Sequence, residues 1–311
     1  MTNRIMDRSS SYFKQVQLLI QLLPVVNTEA IFALKGGTAI NLFVRDMPRL
    51  SVDIDLVYLP DNSRDKSIKD IHLALDRIAE EIQTRWNTYK IDKSYLNKDD
   101  ALRLVVFGNG VQVKIELSPV LRGTVFEPVK INVTDAVEDE FGFAEITVVS
   151  MADLYAGKIC AALDRQHPRD LFDVKLLLEN QGITDEIRKA FIVYLISHPR
   201  PIAELLKPNL LPLEKLFNSE FLGMTFTEVT LEQLEMSRLQ LIKELQHSLQ
   251  NTEKQFLISF QNKFPDWALL GLPNIKELPA IKWKLLNLGR MSKQNHQKDT
   301  EKLENVIKSI G

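Results

Sequence analysis

The sequence predicts an α+β protein: a small mixed β-sheet with flanking helices over residues 1–145, then a helical C-terminal domain over residues 146–311. Three observations lead there. Short β-branched runs alternate with helix-period segments in the first half. Gly108-Asn109-Gly110, between two apolar alternating runs, is a strong hairpin signal and makes the sheet mixed. Beyond Ser150 the apolar spacing is helical almost throughout. The strands lack the regular recurrence of a dinucleotide-binding fold, and no internal repeat is visible.

Taken in order, residues 11–23 form an amphipathic helix that Pro24 should end. Residues 31–34 are a short strand, followed by Lys35-Gly36-Gly37-Thr38 and a helical stretch, AINLFVR. Residues 50–59 alternate and are β-branched, a strand closed by Pro60. Residues 68–86 have helical spacing, and 102–107 with 111–117 are the two arms of the hairpin. Residues 146–149 are a last short strand. Ser150 with Asp153 then opens a helix in an acidic form of the capping box, and Pro168 suits the first turn of the next. Thr230 with Gln233, and Thr252 with Gln255, are capping boxes opening two long helices.

With 311 residues, 45% hydrophobic and 26% charged, the chain has apolar material for two ordinary globular domains. Its single cysteine, Cys160, allows no internal disulfide and fits a reducing cytoplasm. No apolar stretch approaches the ~20 residues of a membrane helix, and the opening residues lack the apolar run of a secretory leader. A formal net charge of -2 argues against indiscriminate coating of nucleic acid, while leaving room for a local basic groove.

The chemistry concentrates around Ser51-Val52-Asp53-Ile54-Asp55-Leu56. Residues two apart on a strand face the same way, so Asp53 and Asp55 share one side while Val52, Ile54 and Leu56 take the other. Two carboxylates that close repel each other unless a cation lies between them. Such a pair suits Mg²⁺, which takes one or two carboxylates plus phosphate oxygens and water. Alone, D-x-D is better explained by an exposed sheet face that happens to carry two acids. Upstream, however, a strand runs through Gly36-Gly37-Thr38 into a helix, where free backbone N–H groups favour phosphate and glycine permits close approach. In Val113-Lys114-Ile115-Glu116-Leu117 the polar residues alternate with apolar ones. Beside the D-x-D strand, Glu116 would complete a three-carboxylate cluster for two-metal phosphoryl transfer; the alternative is a solvated glutamate.

Leu34-Lys35-Gly36-Gly37-Thr38-Ala39 followed by Arg49-x-Ser51-x-Asp53-x-Asp55-Leu56 resembles the AbiEii nucleotidyltransferase toxins, relatives of the MenT toxins in the DNA polymerase β-like nucleotidyltransferase superfamily. The resemblance continues through Asp153-Leu154-x-x-x-Lys158, Arg165-x-x-x-Arg169-Asp170-Leu171-Phe172-Asp173 and Leu278-Pro279-Ala280-Ile281-Lys282-Trp283. It implies a toxin of phage abortive infection, silenced by an antitoxin that often carries a winged-helix domain. It implies an NTP substrate, Mg²⁺ (or Mn²⁺) as cofactor, and for some members an RNA acceptor, the 3′ end of tRNA. Carried over, Asp53 and Asp55 match the metal-binding acids, Lys158 the triphosphate-contacting lysine and Asp173 a further motif acid. Gly36, Gly37 and Thr38 match the nucleotide-binding turn, with Thr38 where the superfamily usually has serine.

Lys158 also stands out on its own. Met151, Leu154, Tyr155, Lys158 and Ala162 follow one helical stripe, which places a lysine among inward-facing residues. It must meet an anion or snorkel outward. Asp173 shares a helix side with Asp170 and reads either as a base for the acceptor hydroxyl or as an orienter of Lys158; an intrahelical salt-bridge cluster with Arg165 and Arg169 is the plain alternative. Lys282-Trp283-Lys284 with Arg290 and Lys293 suits RNA stacking or, more simply, a packed tryptophan between solvated lysines. His167 and His198 read as loop residues. The expected site is a cleft joining the acids of the α/β domain to Lys158 and Asp173. Competing functions are transfer to a small molecule, as in antibiotic adenylylation, and a nucleotide-binding regulatory module without turnover.

Overall fold

The computed structural model describes residue 8, residues 10–98 and residues 101–310; most of the opening stretch read for a leader lies outside the described residues. The chain divides into two compact units, Met1–Ser150 with Gly223–Thr227, and Met151–Leu222 with Glu228–Gly311. The first runs five residues beyond the expected boundary at 145 because the strand at Glu145–Val148 is hydrogen-bonded into the sheet.

In the first unit α1 (Ser11–Val26) leads to β1 (Phe32–Lys35) and α2 (Gly36–Ala39), which continues as a wider helical turn over Ile40–Val44. Then follow β2 (Asp53–Tyr58), α3 (Arg64–Arg85), β3 (Lys90–Lys93), β4 (Arg103–Gly108), β5 (Val111–Leu117), β6 (Val129–Asn132), α4 (Asp135–Phe141) and β7 (Glu145–Val148). The seven strands form one mixed sheet in the order β3-β4-β5-β2-β1-β7-β6. β2 runs parallel to β5 and antiparallel to β1.

The register divides the sheet into two chemically different faces. Ile54, Leu104, Val106, Val113 and Ile115 are buried on one, the side on which α1 and α3 pack. The other carries Asp53, Asp55, Lys114 and Glu116, all half-buried, and the exposed Arg103, Phe107 and Gln112. Alternation along β5 and the first four residues of β2 is the direct cause; Val57 of β2 and Val105 of β4 are buried apolar residues on the acid-bearing side.

Pro24 does not end α1. The helix continues through it to Val26, where Asn27 N–H bonds the Leu23 carbonyl and Val25 and Val26 are buried. β3 and β6, not anticipated, are the two edges of the sheet.

The second unit contains α5 (Met151–Asp164), α6 (Pro168–Asn180), α7 (Asp185–Ser197), α8 (Ile202–Leu206), α9 (Glu214–Leu216), α10 (Leu231–Ser248), α11 (Asn251–Gln261), α12 (Pro279–Arg290) and α13 (Lys293–Ser309). α5 packs most extensively on α7, with α6 beside it. The capping box of Thr230 and Gln233 forms as expected. That of Thr252 and Gln255 does not: α11 starts earlier, with Glu253 accepting from Gln250 N–H at 2.9 Å. Glu253 is fixed there by a buried ion pair with Arg188 at 3.0 Å. Among the described residues no helix is long and apolar enough to cross a membrane.

Candidate active site

Asp53 and Asp55 lie on the open face of β2, and the register brings charged neighbours alongside them. Asp55 pairs with Lys35 of β1 and with Glu116 of β5; Asp53 pairs with Lys114. Cross-strand partners share a face, so Lys35, Asp55 and Glu116 make one row and Asp53 with Lys114 the next. Asp53's carboxylate takes no hydrogen bond or ion pair among the described residues. Glu116 is committed to Arg103, with Oε1 2.6 Å from Nε. Accordingly, no three acidic, histidine or cysteine side chains gather as a ready metal cage among the described residues.

The Gly-Gly-Thr turn is moulded around this pair. Gly36 has φ +77°, in the left-handed region that glycine occupies without strain, and a Cβ there would stand 2.5 Å from Asp55 Oδ2. A Cβ on Gly37 would meet Arg49 Nη2 at 2.7 Å and Ser51 Oγ at 2.8 Å. Both glycines therefore let the backbone close onto the acid-bearing segment. Thr38 is fully buried, and its hydroxyl donates to the Asp53 carbonyl at 2.5 Å and lies 3.1 Å from Ser51 Oγ. Its oxygen faces the strand and ties the turn to β2.

Asn41, which sequence reasoning did not single out, and Arg49, which it quoted only as part of the motif, complete this frame. Buried Asn41 donates to the Gly37 carbonyl at 2.8 Å and accepts from Arg49 N–H at 3.3 Å. Arg49, 3% exposed, donates from Nη1 to the Leu50 carbonyl at 2.8 Å. The segment is pinned further by Leu50 N–H on the Met224 carbonyl and Phe226 N–H on that of Pro48. The buried Arg49 was visible as the arginine four residues before Asp53, but nothing in its spacing announced burial.

Metal fit can be judged from the donors. Mg²⁺ needs one or two carboxylates and completes its shell with water and phosphate oxygens. Asp53 and Asp55 meet that requirement, and the half-buried Asp53 carboxylate has no counter-charge bound to it among the described residues.

In the helical unit, Lys158 is 8% exposed and Asp170 and Asp173 are fully buried. Lys158 Nζ lies 2.8 Å from Asp170 and 3.1 Å from Asp173, and Arg165 Nε binds the far oxygen of Asp170 at 2.5 Å. Burial pushes the Asp170 carboxyl upward, but Lys158 and Arg165 outweigh it and hold the group well below the usual carboxylate range. The anion that Lys158 required is thus supplied by its own unit. His167 is the N-cap of α6, accepting from Arg169 N–H at 3.1 Å, and its Nε2 lies 3.1 Å from Glu220. The Lys284 ammonium donates to the carbonyl of His198 at 2.5 Å, just past the end of α7. Trp283 is half exposed. Cys160 is buried, which raises its thiol and makes it inert filler.

A family profile described as "Nucleotidyl transferase AbiEii toxin, Type IV TA system" matches residues 17–285, a span that includes every site residue named above. Among solved structures, the chain is similar to MenT4, a nucleotidyltransferase toxin from Mycobacterium tuberculosis H37Rv. That match has a TM-score of 0.60 and 14% identity, over 89% of this chain and 93% of that one. At such an identity the likeness is one of fold. No curated protein matches the sequence.

Proposed function

The chain belongs to the AbiEii family of nucleotidyltransferase toxins of type IV toxin–antitoxin systems, and we propose that it transfers a nucleoside monophosphate from an NTP to an RNA acceptor, with the 3′ end of tRNA as the acceptor class. The observation that carries this reading is the pair Asp53 and Asp55 on an open sheet face, with the Gly36-Gly37 turn closed onto it. The family implies a partner antitoxin, which we take to be a winged-helix protein, and abortive phage infection in the cytoplasm as the setting.

Asp53 and Asp55 would hold Mg²⁺, with Glu116 joining them on release from Arg103. Bound there, the ion would supply charge neutralisation for the phosphates and a lowered pKa for the attacking hydroxyl. In the transfer, the acceptor hydroxyl oxygen bonds to the α-phosphorus and loses its proton to a carboxylate of that face. The bond to the bridging oxygen breaks, and pyrophosphate leaves. The backbone N–H groups of Gly36 and Gly37 supply fixed donors for phosphate oxygens, and Thr38 keeps β2 in register with them. Lys158 is assigned to the triphosphate by the resemblance. Asp173 is better suited to hold that lysine than to act as base, because it is fully buried and already paired.

Incubating the protein with each labelled NTP, Mg²⁺ and total RNA should label a discrete RNA. Asp53→Ala should abolish the label and the toxicity together. If wild type labels no RNA yet remains toxic, and Asp53→Ala stays toxic too, the transferase reading fails.

A further inference from the structure

We propose that Phe107, with Lys90 and Gln112, forms a stacking subsite for a nucleobase of the acceptor strand, on the same open face as Asp53. Register places the three side chains in one row, since Lys90 pairs with Phe107 and Phe107 with Gln112. The next row contains Asp92, Val105, Lys114 and Asp53; the one after it contains Arg103, Glu116, Asp55 and Lys35. Phe107 is therefore two strands across and two residues along from Asp53. Strand spacing and rise convert that to about 12 Å, the reach of one or two nucleotides from a reacting 3′ hydroxyl.

A single exposed aromatic is ordinary on a protein surface. Phe107 differs in its surroundings. It is 42% exposed on a strand and lines an open basin of about 720 Å³ together with Lys90, Asn109 and Gln112. Neither the Lys90 ammonium nor the Gln112 amide has a partner among the described residues. The basin is also rigid. Asn109 and Gly110 have φ +54° and +77°, the left-handed pair of a tight hairpin. Asn109 Nδ2 donates to the Tyr89 hydroxyl at 3.1 Å, and a Cβ on Gly108 would strike the Tyr89 ring at 2.8 Å, so that ring is wedged beneath the turn. Trp86 stacks on Tyr89 at 5.6 Å and backs it.

The chemistry of the row matches a single-stranded nucleic acid. An aromatic face accepts any base, an ammonium meets a phosphate, and an amide offers both donor and acceptor to a base edge. Lys114 lies between the platform and Asp53 and continues the cationic path. Topology favours acceptor over donor. The Gly36-Gly37 turn follows β1, which flanks β2 on one side, while β5, β4 and β3 flank it on the other. Displacement at phosphorus places the attacking and leaving oxygens roughly in line, on opposite sides of the transferred group. A triphosphate on the β1 side leaves the β5–β4 side to the acceptor. This inference rests on Asp53 and Asp55 being the transfer site.

The test uses the full chain and a fluorescein-labelled RNA hairpin with an unpaired 3′ tail, read by anisotropy, beside binding of a non-hydrolysable NTP. Phe107→Ala should weaken RNA binding on the order of 10-fold, as expected for loss of one base–aromatic stack. Phe107→Trp should preserve it, and NTP affinity should not move. An abasic nucleotide in the tail should abolish the difference between wild type and Phe107→Ala. Unchanged RNA binding in Phe107→Ala, while wild type still labels RNA, overturns the subsite and spares the transferase. Weakened NTP binding with intact RNA binding overturns it in favour of the donor base. If wild type neither binds nor labels RNA, the transferase reading falls and the subsite with it.

Discussion

Asp53 with Asp55 and Asp170 with Asp173 are both closely spaced aspartate pairs, held in opposite environments. The first pair lies half-buried on a strand face, and Asp53 has no bound protein counter-charge among the described residues. The second is fully buried on a helix and neutralised by Lys158 and Arg165. Acids that a fold has already paired are costly to unpair and contribute to structure. An acid without a counter-charge among the described residues, as Asp53 is, is available for a cation from solution. On this contrast rests our proposal that the sheet pair is the reactive one, while the helical pair holds a lysine in place.

The sharpest way to break this comparison is to remove the charge at each site and measure folding. Lys158→Met removes the lysine that two buried carboxylates share, leaving Asp170 to Arg165, and should cost about 3–5 kcal/mol of stability. Asp53→Asn removes one of two neighbouring like charges and should leave urea unfolding within ~0.5 kcal/mol of wild type while abolishing transfer. Equal losses of stability in the two variants would erase the distinction. A stable Lys158→Met protein with lost NTP binding would move Lys158 to the reactive class.

The same contrast explains what sequence could and could not tell. Asp53, Asp55 and the Gly-Gly turn were legible because strand alternation and glycine chemistry are local. The inward stripe on α5 correctly implied that Lys158 needs an anion. Asp173 as an orienter of Lys158 was one reading the sequence offered, but that both acids are fully buried and that Asp170 binds the lysine too was not legible: their three-residue spacing fits an exposed helix face equally well. Thr38 was assigned to the nucleotide turn by resemblance, standing where the superfamily usually has serine; that its hydroxyl also bonds Asp53's own carbonyl was not legible. β3 and β6 escaped notice because edge strands, here KIDK and VKIN, carry charged and polar residues and lack a clean apolar face. Lys284 was illegible because its partners are carbonyls about 85 residues away in sequence.

A weaker separation should appear on acidification. Asp170 has its pKa lowered in the folded state, with Lys158 and Arg165 overcoming the burial that would raise it. Its contribution is therefore fully present above the ordinary carboxylate range, near pH 4, and is lost as pH falls below that range. Stability should drop by up to about 1.4 kcal/mol per pH unit through this one group. Asp170→Asn, already destabilised at neutral pH, should show a shallower acid dependence in urea titrations at pH 4 and pH 3. Parallel slopes would remove Asp170 from the structural class.

The smallest expected effect decides whether Glu116 belongs with the reactive acids. Glu116 neighbours Asp55 in register but is bound by Arg103, a partner with about half its side chain exposed. Such a pair contributes about 0–1 kcal/mol, so a divalent cation at Asp53 and Asp55 could draw Glu116 away at little cost. Arg103→Ala removes the competitor and should tighten Mg²⁺ binding by less than 10-fold, a gain limited by the ~1 kcal/mol of the pair it replaces. Glu116→Gln should weaken Mg²⁺ binding and cancel that gain in the double variant. Isothermal titration of all three with Mg²⁺ measures the coupling. If Arg103→Ala leaves Mg²⁺ affinity unchanged and Glu116→Gln does the same, Glu116 is a surface ion-pair partner and the metal site consists of Asp53 and Asp55 alone.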